Sequence, residues 1–150
     1  MADIVGDDNS EAAMFIANFW KGPLAMFFSP YAPFPIAWRS ILVWSKGGHV
    51  GIGGDRETCW KRDFELIGIR DNAPLSGGRD SAVLHYNAVS PPPSGHVAEK
   101  PIALMLYLVS KLSNIGDLIL DPFMGSGRGI QWVGELALRR VTPQLKSLFQ

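Results

Sequence analysis

Three short apolar runs, separated by proline-rich and glycine-rich stretches, constrain the fold of this 150-residue chain most strongly. They are LAMFF at 24–28, SILVW at 40–44 and FELIGI at 64–69. Continuous apolar runs of this length are typical of strands that are covered on both faces, which occur mainly in parallel sheets flanked by helices. VLHY at 83–86 is a shorter candidate strand. The pattern predicts an α/β fold.

Two segments have helical spacing. The first ends near residue 20, has Asp8, Asn9 or Ser10 as its N-cap, and is expected to turn Met14, Ala17, Phe15 and Phe19 towards the core. The second begins at Pro101, because proline suits the first helical turn. Its expected buried face consists of Ile102, Met105, Leu106 and Val109, which follow the i, i+3, i+4, i+7 spacing.

Composition limits the classes of protein to which the chain can belong. Its length and its 47% hydrophobic content suit one domain with a real core. Lys plus Arg and Asp plus Glu number 14 each, so net charge favours neither nucleic acid nor membrane. A single cysteine, Cys59, excludes an internal disulfide framework and a cysteine metal cluster.

The sequence also indicates where the protein is located and whether it binds a metal. The N-terminus lacks a secretory pattern, and three prolines and an arginine break the most apolar stretch, which falls short of the roughly 20 apolar residues of a spanning helix. We therefore expect a cytoplasmic protein with no membrane contact. His49 and His85 have no metal-ligand spacing, and we expect no metal.

The stretch LILDPFMGSGRGI at 118–130 has the local order of strand, glycine turn and helix. LIL is expected to be a buried strand, and helical spacing resumes at Ile130. A helix N-terminus leaves backbone amides unpaired, and glycines let a ligand approach the chain closely. The same spacing also occurs in ordinary turns, so spacing alone leaves a ligand site and a plain turn both open.

Residues 96–127 extend this stretch into a longer pattern, HVAEKPIALMLYLVSKLSNIGDLILDPFMGSG. It resembles the joined motif region of the S-adenosylmethionine-dependent DNA amino-methyltransferases, which methylate the exocyclic amine of adenine or cytosine. That family reads H-P-T-x-K-P, an apolar helix, a G-D strand and D-P-F-x-G-S-G. His96, Lys100 and Pro101 keep the first pattern, whereas Val97 and Ala98 replace its proline and threonine.

The resemblance extends over residues 10–140 and has the motif order of the circularly permuted groups, in which the half that handles the target base comes first. It implies a Rossmann-like methyltransferase sheet with helices on both faces, incomplete in this chain. The single domain, 1–150, would then comprise a target-side half at 1–95 and the cofactor motifs at 96–150.

The resemblance also implies which residues bind S-adenosylmethionine. They are Lys100, Pro101, Asp121, Pro122, Phe123, Gly125, Ser126 and Gly127. Phe123 and the two glycines would wrap the methionine part, and Lys100 and Pro101 would close the other side. The alternatives are core packing for Phe123 and a solvated helix start for Lys100. Arg128 departs from the family's small polar residue, and its guanidinium could pair with the cofactor carboxylate or crowd it.

Catalysis in this family uses a D/N/S-P-P-Y/F/W turn that holds the flipped base, and the sequence contains no such tetrapeptide. The weak candidates are Ser29, Pro30 and Tyr31, and weaker still SPPP at 90–93. Residues 139–150 stand where the family places a further strand and its ribose-binding acid. We therefore expect either a partner, in the form of a second chain or another copy, or a truncated methyltransferase.

DNA is the expected macromolecular partner, with contacts through Arg56, Lys61 and Arg62 in a basic cluster that also holds Trp60. Acids interleave with this cluster, Glu65 and Asp80 among them, so a solvated mixed-charge surface is the alternative. Three hypotheses remain: an active DNA methyltransferase of the restriction-modification type; a non-catalytic module that binds cofactor or DNA; and a degenerate remnant of phage or mobile-element origin.

Overall fold

The structure, a computed structural model, describes residues 11–32, 36–47, 60–61, 63–70, 77–89 and 99–121. Within these ranges it contains two helices and one four-stranded sheet. In chain order the elements are α1 (Glu11–Phe19), β1 (Leu24–Phe28), β2 (Ser40–Ser45), β3 (Phe64–Arg70), β4 (Val83–His85) and α2 (Ile102–Leu112). No helix in the described part of the chain is long and apolar enough to cross a membrane.

The sheet has the strand order β1-β3-β2-β4. Strand β3 lies antiparallel to both of its neighbours, and β2 lies parallel to β4. Strands β1, β2 and β4 therefore run in one direction and β3 in the other. Strands β1 and β4 form the two edges of this open sheet.

One face of the sheet carries the hydrophobic core. Since side chains alternate along a strand, Ile67 and Ile69 share a face, and Leu42 and Phe27, the partners of Ile67 on the two neighbouring strands, lie on it too. Helix α2 covers this face. The core cluster consists of Trp44, Ile67, Ile69, Leu84, Leu104 and Leu108.

On the opposite face of the sheet, residues of β3 contact Trp38 and helix α1. The ring of Trp38 packs over Gly68 and stacks on Phe28, with ring centroids 5.8 Å apart. Arg70 donates hydrogen bonds to the carbonyl oxygens of Ala17 and Trp20, at the C-terminal end of α1. A cation at this end complements the free carbonyls and the helix dipole.

The positions of the strands follow the sequence prediction closely. LAMFF, SILVW, FELIGI and VLHY each form a strand, within one residue of the expected bounds. The chain is thus a mixed α/β protein, although three of the four strands take part in antiparallel pairs rather than in the parallel sheet that continuous apolar runs suggested. Residues 114–117, NIGD, form a turn in which Gly116 has a φ of +96°.

Three local predictions were wrong. Phe15 and Phe19 are exposed, stacked on each other rather than facing the core, whereas Ala17 is fully buried. In α2 the buried residues are Leu104 and Leu108, not the predicted face that begins at Ile102. Almost every position of IALMLYLVSKL is apolar, so periodicity could not choose the face that the sheet covers.

The third correction concerns LIL at 118–120, which forms no strand and is exposed. An apolar run becomes a strand only beside a hydrogen-bonding neighbour. None of the four strands in the described ranges pairs with it. The predicted N-caps at 8–10 and the helix expected beyond Ile130 lie outside the described residues.

Candidate functional site at the carboxyl edge of the sheet

The C-terminal ends of β1, β2 and β4 lie at the same end of the sheet. We call this end of the strands the carboxyl edge, as distinct from the outer strands β1 and β4. Ser29 follows β1 there and Lys46 follows β2, while the antiparallel β3 starts there with Phe64 and Glu65. In open α/β sheets ligands bind beyond the carboxyl ends of the strands. The carboxyl edge is therefore the place to look for a site.

An ion cluster of Lys46, Glu65 and Lys100, here called the lysine clamp, lies at this edge. The Nζ atom of Lys46 is 2.5 Å from Oε1 of Glu65, and the Nζ atom of Lys100 is 2.9 Å from its Oε2. Each carboxylate oxygen thus has its own ammonium partner. The three side chains are 17 to 25% exposed, so the pairs are largely shielded from water.

Two aromatic rings pack beneath the ammonium groups. Phe27 and Trp44 meet edge to face, with their centroids 6.0 Å apart. Nζ of Lys100 is 5.1 Å from the centre of the Phe27 ring and 5.5 Å from that of Trp44, and Nζ of Lys46 is 5.3 Å from the Trp44 ring. Cations within about 6 Å of an aromatic face are attracted by the ring quadrupole.

Charge dominates the titration of Glu65. Burial of the carboxyl group pushes its pKa up, but the Lys100 and Lys46 ammonium groups outweigh burial and hold the pKa of Glu65 below its usual value. Glu65 is therefore ionised at neutral pH, and the lysine clamp carries a net charge of one positive unit.

The turn that follows β1 is the weak catalytic candidate. The hydroxyl oxygen of Ser29 accepts a hydrogen bond from the backbone N–H of Tyr31 at 3.2 Å, and the carbonyl of Ser29 accepts one from Ala32 at 3.1 Å. These bonds form a tight turn at the carboxyl edge. The side chain of Tyr31 is 67% exposed, so its ring is accessible for stacking.

Comparison with known protein families decides the assignment. A model of the DNA methylase family matches residues 9–139, which is most of the chain and includes the whole described sheet. The chain belongs to the DNA amino-methyltransferase family. Searches of curated proteins and of solved structures found no match.

The structure describes part of the site that the sequence predicts for this member of the family. Lys100 and Pro101 lie at the start of α2, with the Lys100 ammonium against the sheet, and Asp121 is half-buried. The rest of the cofactor turn, Pro122 to Gly127, lies outside the described residues. So do Arg56 and Arg62, whereas Lys61 is exposed.

The partners of Lys100 are not predicted by the sequence. Glu65 is one of the acids for which the sequence suggests a solvated surface, but it is largely shielded and bound to two lysines. The alternation of FELIGIR could have shown this, because it places Glu65 on the same face as Ile67 and Ile69. An acid on a core face usually has a cationic partner.

A second ion cluster holds the opposite end of α2. Lys111 pairs with Asp80 at 2.6 Å and donates to the carbonyl of Gly78 at 3.0 Å, and the hydroxyl of Tyr107 donates to Asp80 at 3.0 Å. The bonds from Lys111 and Tyr107 hold the pKa of Asp80 below its usual value. This cluster fastens residues 78–80 to the helix.

Among the described residues, no group of three or more metal-binding side chains comes together.

Proposed function

We propose that this protein transfers a methyl group from S-adenosylmethionine to an exocyclic amine of adenine or cytosine in DNA. One observation carries the proposal. Three strands that run in the same direction end at the carboxyl edge, and the family motif residues Lys100 and Pro101 lie there too. The family match over residues 9–139 supports the same activity. In this proposal the described sheet is one part of a Rossmann-like methyltransferase sheet with helices on both faces.

The residue types of the DPFMGSG motif and of the Lys100–Pro101 pair fit S-adenosylmethionine. Asp121, half-buried, supplies a carboxylate suited to a cationic or hydroxyl-bearing ligand, and Phe123 supplies an aromatic face. Gly125 and Gly127 leave room for close approach of the backbone, and Ser126 offers a hydroxyl. Lys100, Pro101 and Pro122 complete the proposed set of residues that form the cofactor site. Bound S-adenosylmethionine supplies an electrophilic methyl group.

The reaction forms a bond between the exocyclic nitrogen and the methyl carbon, breaks the bond between that carbon and sulfur, and releases one proton from the nitrogen. The protein must therefore hold the amine in line with the methyl group and keep its lone pair available. A flipped base needs an aromatic surface and a hydrogen-bond acceptor for its amine. Tyr31 and the Ser29–Pro30 backbone are the candidates for these roles, because their turn lies at the carboxyl edge.

DNA would approach through the segment that contains Trp60 and Lys61. The Trp60 side chain is 77% exposed, and a basic residue follows it directly. An exposed ring beside a cation suits base stacking and phosphate contact. Arg56 and Arg62 would extend this contact.

Methyl transfer tests the proposal. Folded protein is incubated with unmethylated DNA and S-adenosylmethionine labelled in its methyl group, and the DNA is digested and its nucleosides separated. Label is expected in N6-methyladenine or N4-methylcytosine. Tyr31→Ala is expected to reduce the rate at least ~100-fold if the ring holds the flipped base, while Tyr31→Phe retains most of it. Absence of label with DNA of diverse sequence contradicts autonomous catalysis.

A second candidate function is a non-catalytic module, or one half of a split methyltransferase. The observation that favours it is the lack of a D/N/S-P-P-Y/F/W tetrapeptide anywhere in the sequence. The edge strands β1 and β4 of the described sheet offer positions where strands of a second chain could pair. This alternative predicts saturable binding of cofactor or DNA without methyl transfer, and transfer that appears only when a complementing chain is added.

A further inference from the structure

The Lys100 ammonium is directed into the sheet and engaged on several sides. It pairs with Glu65 on β3 and lies over the rings of Phe27 on β1 and Trp44 on β2. Its side chain is 25% exposed. An ammonium group has three donors and no acceptor, and here a carboxylate and two ring faces already surround it. These contacts oppose its turning towards a ligand.

Lys100 also directly precedes Pro101, the N-cap residue of α2. The Pro101 carbonyl accepts the first helical hydrogen bond, from Met105 at 3.1 Å. Leu104, one turn into the helix, is fully buried against the sheet. Anchoring Lys100 therefore fixes both the backbone of the Lys100–Pro101 pair and the start of α2 relative to β1, β2 and β3.

Lys46 completes the arrangement from the other side. It binds the second oxygen of Glu65, and its backbone is fixed by hydrogen bonds with Asp63 and Ala88 at 2.8 and 2.9 Å. Glu65 is thus held by a residue that directly follows β2, and it in turn holds Lys100. Removing either partner of a shielded ion pair leaves the other charge without compensation, so such pairs act as units.

We propose that Lys100 is a positioning residue that acts through Glu65. The lysine clamp fixes the Lys100–Pro101 backbone and the start of α2 at the carboxyl edge, and the Lys100 ammonium does not contact the cofactor. This inference rests on the proposed function for its effect on S-adenosylmethionine binding, whereas the clamp itself is testable without ligand. It replaces a direct ligand role for the lysine with an indirect one.

Four variants of the full chain test the clamp: Lys100→Met, Glu65→Gln, their combination and Lys100→Arg. Lys111→Met is the matched control, because Lys111 forms an ion pair at the other end of the same helix. Amide hydrogen exchange is measured at Met105 and Leu106 in the first turns of α2. Both single variants are expected to speed exchange there by about tenfold, and the double variant by no more than either one. Lys111→Met is expected to leave these two amides unchanged.

Calorimetric titration with S-adenosylmethionine gives the second readout. Both single variants are expected to raise Kd by a similar factor, and Lys100→Met is expected to add nothing in the Glu65→Gln background. Lys100→Arg keeps the pairing with Glu65 and is expected to retain wild-type affinity within about threefold. If the other variants do not fold, Lys100→Arg still distinguishes a positioning role for Lys100 from direct contact with the cofactor.

Each contrary result overturns a distinct statement. If Lys100→Met weakens binding further in the Glu65→Gln background, or Lys100→Arg loses binding while α2 stays protected, then Lys100 contacts the cofactor directly. If exchange in α2 is unchanged in both single variants, then the clamp does not exist. If wild-type protein binds no S-adenosylmethionine while the exchange pattern is as expected, the proposed function fails and the clamp stands.

Discussion

The indole ring of Trp38 packs directly over Gly68, the one glycine of β3. A Cβ atom added to Gly68 would overlap the six-membered ring of the tryptophan. Glycine in a strand interior weakens the strand, and it often marks a place where another group approaches the backbone closely. The approach of Trp38 therefore explains why the strand contains this residue.

Gly68→Ala is expected to destabilise the fold, because the indole must move out of its contact with β3 and Phe28. Overpacking of this kind typically costs ~1–3 kcal/mol. Urea denaturation followed by tryptophan fluorescence measures the change. Gly78→Ala is the matched control, since a Cβ atom there meets nothing within 4 Å. Equal effects of the two substitutions would contradict the packing that we describe.

Arg70 should fasten α1 to the sheet. Arg70→Met removes two hydrogen bonds to helix carbonyls but keeps much of the apolar stem, and we expect a loss of about 1–3 kcal/mol in the free energy of unfolding. Lys21→Met is the control, because Lys21 binds the carbonyl of Asn18 on the same helix but in an exposed position. A thermal melt in which both variants match the wild type would show that Arg70 does not hold the helix.

The buried face of α2 can be tested by truncation. Leu104→Ala empties a fully buried position and is expected to cost about 2–5 kcal/mol. Ile102→Ala, at a side chain that is 38% exposed, is expected to cost about 1 kcal/mol or less. Denaturation curves that rank the two variants in the opposite order would restore the face predicted from the sequence.

The lowered pKa of Glu65 links stability to pH. A carboxyl group whose pKa is lower in the folded state stabilises the fold above its unfolded pKa, which is about 4.3 for Glu. That contribution is lost as the pH falls through the lower folded value. We therefore expect Glu65→Gln to be less stable than the wild type at pH 7, and the difference to shrink below about pH 4. Stability measured across pH 3 to 7 tests this, and a constant difference would contradict it.

The sequence predicted local elements better than their arrangement. LAMFF and FELIGI form strands because a short apolar run between loops has few alternatives. Their antiparallel pairing was not predictable, because apolar content does not encode strand direction. The face of α2 was not predictable either, since its residues are apolar on nearly every side.

In the candidate site, too, the sequence predicts the local motif but not the long-range contact. Lys100 and Pro101 were found by their motif, and the structure places them at the carboxyl edge. Glu65 was missed as a partner, because its pairing with Lys100 joins residues 35 positions apart and depends on the fold. Alternation along β3 was the one local signal that pointed to it.

Binding of S-adenosylmethionine to the folded full chain tests the central claim most directly. Calorimetric titration is predicted to show saturable binding of one molecule per chain, weakened by roughly tenfold or more in Phe123→Ala, which removes the proposed aromatic face. Circular dichroism and a cooperative melt establish folding of both proteins beforehand. Folded wild-type protein that takes up no S-adenosylmethionine at millimolar concentration, or a Phe123→Ala variant that binds it equally well, would contradict the account.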